Sequence, residues 1–345
     1  MSFFSDFTRR MFKDINFDWV GNRKYAYIFS GLLTIIGLIS FFTRGFELGV
    51  EFKGGYSINV HFDRDIDAET LRNALNVAFE GNPIVKSVDT KNTYNITTSY
   101  LINDQSPDVN NKVKAKLLEG INKALGTNVS FDDFSNHEGS GIHILSYSQV
   151  GPVIADDIKR SSTKAILLSL SVIFIYILIR FYKWQYSAGA IVALVHDTLV
   201  VLTFFSLFHG ILPFPMEIDQ AFIAAILTVI GYSMNDTVIV FDRIKEYLSM
   251  DSTKSDKELI NAAINTTLSR TINTSLVTLL TIIILFLFGG NSIKGFAFAL
   301  IIGIIIGTYS SIFVATPIIV DLGKNLRFTP KHNHETTSKK VAKTT

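Results

Sequence analysis

The sequence predicts an α-helical polytopic membrane protein with six transmembrane helices and an α+β ferredoxin-like domain, βαββαβ, between helices 1 and 2. Three observations predict it. Apolar residues make up 48% of the 345 and charged residues 18%, where about a quarter of a soluble chain is usually charged. The apolar residues are gathered into runs, and one long hydrophilic stretch interrupts them with patterns of period two and period 3.6. With no cysteine, disulfides, thiol catalysis and Cys-rich zinc sites are excluded. A net charge of +2 gives no ground for a nucleic-acid partner.

The runs come in order. Residues 25–42 hold 18 positions without a charge, 271–293 hold 23, and 295–320 hold 26. Each crosses a hydrocarbon core of about 30 Å at about 1.5 Å per helical residue. Three more are bounded or interrupted by charge: 165–179 between Lys164 and Arg180, 187–208 containing His196 and Asp197, and 221–241 containing Asp236. Arg9, Arg10, Lys13, Arg23 and Lys24 precede the first run, but Phe-Phe-Thr-Arg follows it instead of a small-x-small cleavage site, so it reads as a retained anchor. The expected division is a cytoplasmic N-terminal segment over 1–24, a first transmembrane helix over 25–43, an extracytoplasmic domain over 44–160, a five-helix bundle over 161–322, and a cytoplasmic tail over 323–345. The tail, rich in Lys, Thr and His from Pro330, is expected to be disordered.

Loop charge sets the orientation. Residues 1–25, the 180–183 turn, the 243–270 segment and the part after Val320 carry 5, 2, 5 and 6 Lys plus Arg, whereas the alternate loops 209–220 and 289–294 carry only Lys294. Basic loops stay on the cytoplasmic side, which places both termini there.

The outer stretch carries 12 Lys plus Arg against 16 Asp plus Glu. Tyr56, Ile58, Val60 and Phe62 alternate as in a strand. Asp67 caps a helix bearing Leu71, Leu75 and Phe79 that stops at Gly81. Ile84 to Val88 and Tyr94 to Ile102 read as strands, Val109, Val113, Leu117, Ile121 and Leu125 share a helical face ending at Gly126, and Ile142 to Val150 closes as a strand. This order is the split βαβ plan. His137 and His143 with Glu138 make a loose spacing for a metal, and histidines so placed are far more often solvated or packed. Asn95-Ile96-Thr97 matches a glycosylation acceptor but falls within a strand. A sheet with helices on one face leaves an open face or edge for an extended peptide. No motif for a cofactor or a metal stands out.

The membrane part carries more chemistry, because ionisable groups within a span are functional candidates by default. Thr228, Tyr232, Asn235 and Asp236 recur at helical spacing along one side of the fourth span, and Asp236 lies about five residues, or about 8 Å, from its cytoplasmic end. Arg270, Asn273, Thr274, Thr278 and Thr281 form a similar stripe in the fifth. Burial and a nearby guanidinium push a carboxyl's protonation in opposite senses, so Asp236 facing Arg270 across two helices can carry a proton. The alternatives are a static salt bridge, or an Arg270 reaching to the headgroups. Asp197, beside His196, is a weaker relay candidate whose alternative is a buried pair holding the helices together. Gly303 and Gly307 suit close helix packing.

These residues resemble the SecF family, the smaller membrane subunits of the bacterial SecD/SecF protein-export accessory complex. Gly49 to Gly55, GVEFKGG, is similar to the family's GIDFxGG with Glu51 in place of the usual Asp, so the motif positions are Gly49, Glu51, Phe52, Gly54 and Gly55. Val150-Gly151-Pro152 resembles its VGP, and Val195 to Val200, VHDTLV, its third-span motif. GYSMNDTVIVFDRIKE over 231–246 and SRTINTSL over 269–276 are the most specific matches. The five motifs stand in family order and cover nearly the whole chain.

The resemblance implies membership of the resistance-nodulation-division class, residence in the bacterial inner membrane, and a SecD-like partner supplying six more spans. It further implies use of protons to help pull or release unfolded secreted polypeptides emerging from the SecYEG channel. Asp236 matches the family's membrane Asp and Arg270 its SRT arginine, and glycines flanking the outer domain, Gly151 before Pro152 among them, suit hinges. Three rivals remain: a half-sized proton-coupled exporter of lipids or small molecules, a non-energised scaffold for SecD or for membrane insertion, and an intramembrane aspartyl protease. The last lacks a Gly-x-Gly-Asp step, since Ser233-Met234-Asn235 precedes Asp236.

Overall fold

The computed structural model describes residues 16–81, 83–88, 92–104, 106–136, 141–250, 253–323 and 326–328. In chain order, α1 spans Arg23–Thr43, the short α2 Val50–Lys53, β1 Gly55–His61, α3 Ala68–Phe79, β2 Ile84–Ser87, β3 Thr93–Thr98, α4 Val109–Leu125, the short α5 Phe131–Ser135 and β4 His143–Val150. Then come α6 Pro152–Phe181, α7 Trp184–Phe208, α8 Gln220–Ser249, α9 Asp256–Phe288 and α10 Asn291–Ser310. The last continues through a π-helical turn at Ser311–Ala315 into α11, Thr316–Leu322. Among the described residues, α1, α6, α7, α8, α9 and the continuous α10 to α11 stretch are long and apolar enough to cross a membrane.

Small residues let these helices approach. A Cβ on Gly303 would lie 2.1 Å from Val229 Cγ2 and one on Gly307 2.8 Å from Ser233 Cβ, so both glycines set the α8 to α10 distance. On the other side of α7, a Cβ on Gly37 would meet Thr203 Oγ1 at 2.0 Å, and Ser40 Oγ lies 2.7 Å from Ser206 Oγ. Pro317 supplies no backbone N–H at the start of α11, and the widened turn before it lets Thr316 Oγ1 donate to Ser311 O at 3.0 Å. α6 and α9 are mostly exposed along their apolar lengths, whereas α7, α8 and α10 form the centre.

The four-stranded sheet has the order β2-β3-β1-β4, antiparallel throughout, with Ile58 opposite Ile96 and Tyr147. One face packs Tyr56, Ile58, Val60, Phe62 and Ile96 against Leu71, Leu75, Val113, Leu117 and Ile121 of α3 and α4, with Phe134 of α5 sealing the core. Asp67 accepts from Thr70 N at 2.9 Å as the expected cap of α3, and Gly126 ends α4 in the left-handed region.

Some expected boundaries move. α3 ends one residue before its expected stop, with Glu80 rather than Gly81 taking the left-handed conformation. β3 stops at Thr98, because the chain turns through Leu101 at φ 55° instead of extending to Ile102. α6 starts at Pro152, which takes the first helical position after Gly151, so it runs unbroken through position 160, where the expected outer domain ends. Hydropathy detects only the apolar part of that helix from Ala165, and residues 152–164, with Asp156, Asp157, Lys159, Arg160 and Lys164, belong to the same helix. His137 and Glu138 lie outside the described residues, as do 1–15 and most of the tail; His143 Nδ1 lies 2.8 Å from Gly141 O.

Candidate functional site

Among the described residues of the long helices, two carboxyls are buried, one on α7 and one on α8. Asp197 is 1% exposed and Asp236 is fully buried. They differ in how they are held. Asp197 Oδ2 accepts from Ser233 Oγ of α8 at 2.6 Å and from Ser310 Oγ of α10 at 2.8 Å, while Oδ1 lies 3.2 Å from His196 Nδ1. Both oxygens are used, and three helices meet on one side chain. Gly307 makes this possible, since its missing Cβ admits Ser233.

Asp236 is looser. Ser275 Oγ of α9 donates to its Oδ2 at 3.1 Å and Thr308 Oγ1 of α10 at 3.5 Å, while Oδ1 is buried without a hydrogen-bond partner. The same hydroxyls lie 2.7 Å apart, and each also reaches a main-chain carbonyl, Thr271 O at 3.0 Å and Ile304 O at 2.9 Å. Each hydroxyl has one hydrogen. With a neutral acid, the carboxyl donates to a hydroxyl and both hydroxyls serve the carbonyls. With a charged acid, the hydroxyls turn toward it. Rotation of two hydroxyls therefore serves both protonation states without moving a helix.

The expected partner is elsewhere. Arg270 is exposed on α9, and among the described residues no ion pair joins it to Asp236. The expected stripe on α8 also divides: Asp236 turns inward, Tyr232 is half-buried with its hydroxyl 3.3 Å from Thr278 Oγ1, and Thr228 and Asn235 face outward. The reason is angular. Residues 235 and 236 are about 100° apart on a helix with 3.6 residues per turn, enough to put one in the bundle and the next on its surface. Asn273 is half-buried and Thr274 exposed. Thr228 and Thr274 return their hydroxyls to Ala224 O and Arg270 O. α8 runs on past the apolar span to Ser249, so Asp236 stands near the middle of the helix.

Sequence reasoning missed the hydroxyls that hold the acids. Thr308, Ser310 and Ser311 cluster inside a 26-residue uncharged run, and that polar cluster was the available signal.

The outer motifs have structural work of their own. Gly49 N donates to Ile218 O at 3.0 Å and Ile218 N to Glu47 O at 2.8 Å, tying the start of the outer domain to the loop before α8. Phe52 is buried, and Glu51 lies beside Gly49. Gly54 ends α2 at φ 74°, and Gly55 opens β1 at φ 152°, where a Cβ would sit 2.7 Å from Thr98 O.

Residues 131–325 match the family model described as Protein export membrane protein SecD/SecF, C-terminal, and 39–66 match the SecD/SecF GG Motif. The chain is 46% identical over 313 residues to the Protein translocase subunit SecF of Rhodothermus marinus, covering 91% of this chain and 95% of that one. The chain belongs to the SecF family. The SecF subunit of Haemophilus influenzae is 36% identical over 87% of this chain and 84% of its own length. The crystal structure of SecDF from Thermus thermophilus, titled a translocon-associated membrane protein, superposes with a TM-score of 0.72 at 29% identity. The match covers 89% of this chain and 39% of that longer one. A SecDF structure in a super-membrane-facing form gives 0.62 at 30% identity. The GG motif of SecF is thus, in this chain, the Gly54-Gly55 turn between α2 and β1, and its relatives are named as translocase subunits rather than enzymes.

Proposed function

We propose that the chain is the SecF subunit of a proton-motive-force-driven complex in the bacterial inner membrane that moves or releases secreted polypeptides from the SecYEG channel, with Asp236 as the proton carrier. The observation that carries this is the half-satisfied Asp236: one oxygen shared by two rotatable hydroxyls, the other unpartnered, at the centre of three helices. Asp197, with both oxygens engaged, serves as the packing centre.

Arg270 and Asn235 face out of the bundle, and an exposed guanidinium at membrane depth needs a partner. A SecD-like subunit with its own six spans covers that face and brings Arg270 its counter-charge. Both termini face the cytoplasm, and in support the first and last described residues meet the same helix: Trp19 Nε1 donates to Asn265 Oδ1 of α9 at 2.7 Å, and Arg327 pairs with Asp256 of α9 at 2.8 Å. The sheet order β2-β3-β1-β4 supports a ferredoxin-like extracytoplasmic domain.

A proton crossing about 150 mV releases roughly 3.5 kcal/mol. That biases a two-state movement by two to three decades but does not extract a stably folded domain in one step. The substrate is therefore unfolded chain, captured and released repeatedly. Replacing Asp236 by Asn in the assembled complex tests the reading. Loss of proton-dependent export with normal assembly supports it; export at the parental rate overturns it in favour of a scaffold.

A further inference from the structure

The outer sheet is tethered along one edge and pinned at the other. β4, at one edge, passes into α6 through Gly151 alone, and β1 beside it follows Gly54 and Gly55, next to α2 packed on α6. β2 is the opposite edge. Two neighbouring residues of it make polar contacts with the bundle: Lys86 pairs with Glu217 in the loop before α8, and Ser87 Oγ accepts from Asn291 Nδ2 at the start of α10 at 3.0 Å. The Glu217 side chain is 8% exposed and that of Lys86 20%.

Clefts open on both sides of this contact. One lies between the sheet's open face and the bundle, with Ser57, Asn59, Asn95 and Thr97 above and Asp219 and Phe296 below. The other is bordered by Arg72, Ile84, Leu212 and Phe214. Behind this contact, the polar side chains described on the sheet face hydrogen-bond one another. Asn95 Nδ2 donates to Ser57 Oγ at 2.8 Å and to Asn59 Oδ1 at 2.7 Å, Asn59 Nδ2 donates to Ser146 Oγ at 2.8 Å, and Thr97 Oγ1 donates to Asn95 Oδ1 at 3.2 Å. Lifting that face away leaves these groups paired with one another. An ion pair suits a reversible contact, because desolvation and attraction nearly cancel while the pair fixes the register.

We propose that Lys86 and Glu217 form a latch that holds the free β2 edge of the outer sheet on the membrane bundle, and that its release lets the sheet swing about Gly54, Gly55 and Gly151. The movement rests on the translocation reading above; the position of the latch does not.

The test uses the full chain assembled in its membrane. The parent has no cysteine, so Ser87→Cys with Asn291→Cys introduces a single cross-linkable pair. With Lys86 and Glu217 intact, cross-linking is rapid. Lys86→Ala or Glu217→Ala slows it about tenfold or more, the size expected when one partner of a largely buried pair is removed. The exchange Lys86→Glu with Glu217→Lys restores the rate, which a misfolded variant would not do. Unchanged cross-linking in both single variants overturns the latch. Cross-linked complexes stop exporting and recover on reduction; export that persists in fully cross-linked complexes overturns the swing. Lys86→Ala still slows cross-linking in an Asp236→Asn background, so failure of the proton-carrier reading is separable from failure of the latch.

Discussion

Ser275 Oγ of α9 donates to Asp236 Oδ2 of α8 across 3.1 Å, while Asp236 Oδ1 has no hydrogen-bond partner. On the proton-carrier reading proposed above, the serine follows the carboxyl's protonation by turning between it and Thr271 O. Ser275→Ala removes one of two donors, and a hydrogen bond to a charged group contributes about 1.5–3 kcal/mol. The expected result is export reduced by about tenfold or more with a shifted pH profile, and Ser275→Thr retaining most of the activity. A pH profile identical to the parent's in Ser275→Ala vesicles would remove the serine from the relay.

Close packing of α8 on α10 makes a second prediction. The Cβ of Gly303→Ala meets Val229 Cγ2, so the variant is overpacked and loses about 1–3 kcal/mol of bundle stability. Val229→Ala added to it supplies the missing space and recovers most of the loss. Thermal unfolding in detergent reads both, and a Gly303→Ala protein as stable as the parent contradicts the α8 to α10 distance.

The long apolar runs and their polar exceptions made the six spans and both buried acids legible in the sequence, because hydropathy and intramembrane charge are local properties. The angular position of each polar residue was not legible. Asn235 and Asp236 are adjacent in sequence yet face opposite environments, which depends on where α9 and α10 lie around α8. Arg270 was matched to Asp236 by its polar stripe and by family motif, and neither fixes which way the side chain faces. The helix start at Pro152 and the short α5 were missed for a related reason: a helix interrupted by Asp156, Asp157, Lys159 and Arg160 before its apolar run, and a helix of five residues, leave little periodic signal. The sheet alternation was easier, since one buried face prescribes every second residue.

Asp197 provides a contrast with Asp236. It takes hydrogen bonds from Ser233 and Ser310 and lies beside His196, so its removal strips contacts from α7, α8 and α10 together. Ser233→Ala and Ser310→Ala each cost about 1–3 kcal/mol, and the double variant departs from additivity by about 0.5 kcal/mol or more because both donors share one oxygen. A thermal-stability double-mutant cycle checks this. Strict additivity would mean that the two serines do not act through the same carboxylate.

The latch carries a pH dependence with a definite sign. Burial pushes the Glu217 carboxyl above the usual carboxylate range; Lys86 opposes this, and Glu47 and Asp219 add to it. Glu51 from α2, and Arg72 and His209 across the second cleft, complete the charged and titratable surroundings. Since the closed form binds the proton more tightly than an open form with Glu217 in water, closure is favoured fully below the ordinary carboxylate range. That advantage is lost as pH rises through the raised value. Spectroscopic labels at positions 87 and 291 should therefore show a shorter mean separation as the outer pH falls, and a longer one as it rises. Glu217→Gln removes the dependence, whereas His209→Gln keeps it. A separation that shortens with rising pH would reverse the sign and show that attraction to Lys86, not burial, governs the carboxyl. A dependence that follows His209 instead would move the switch across the second cleft.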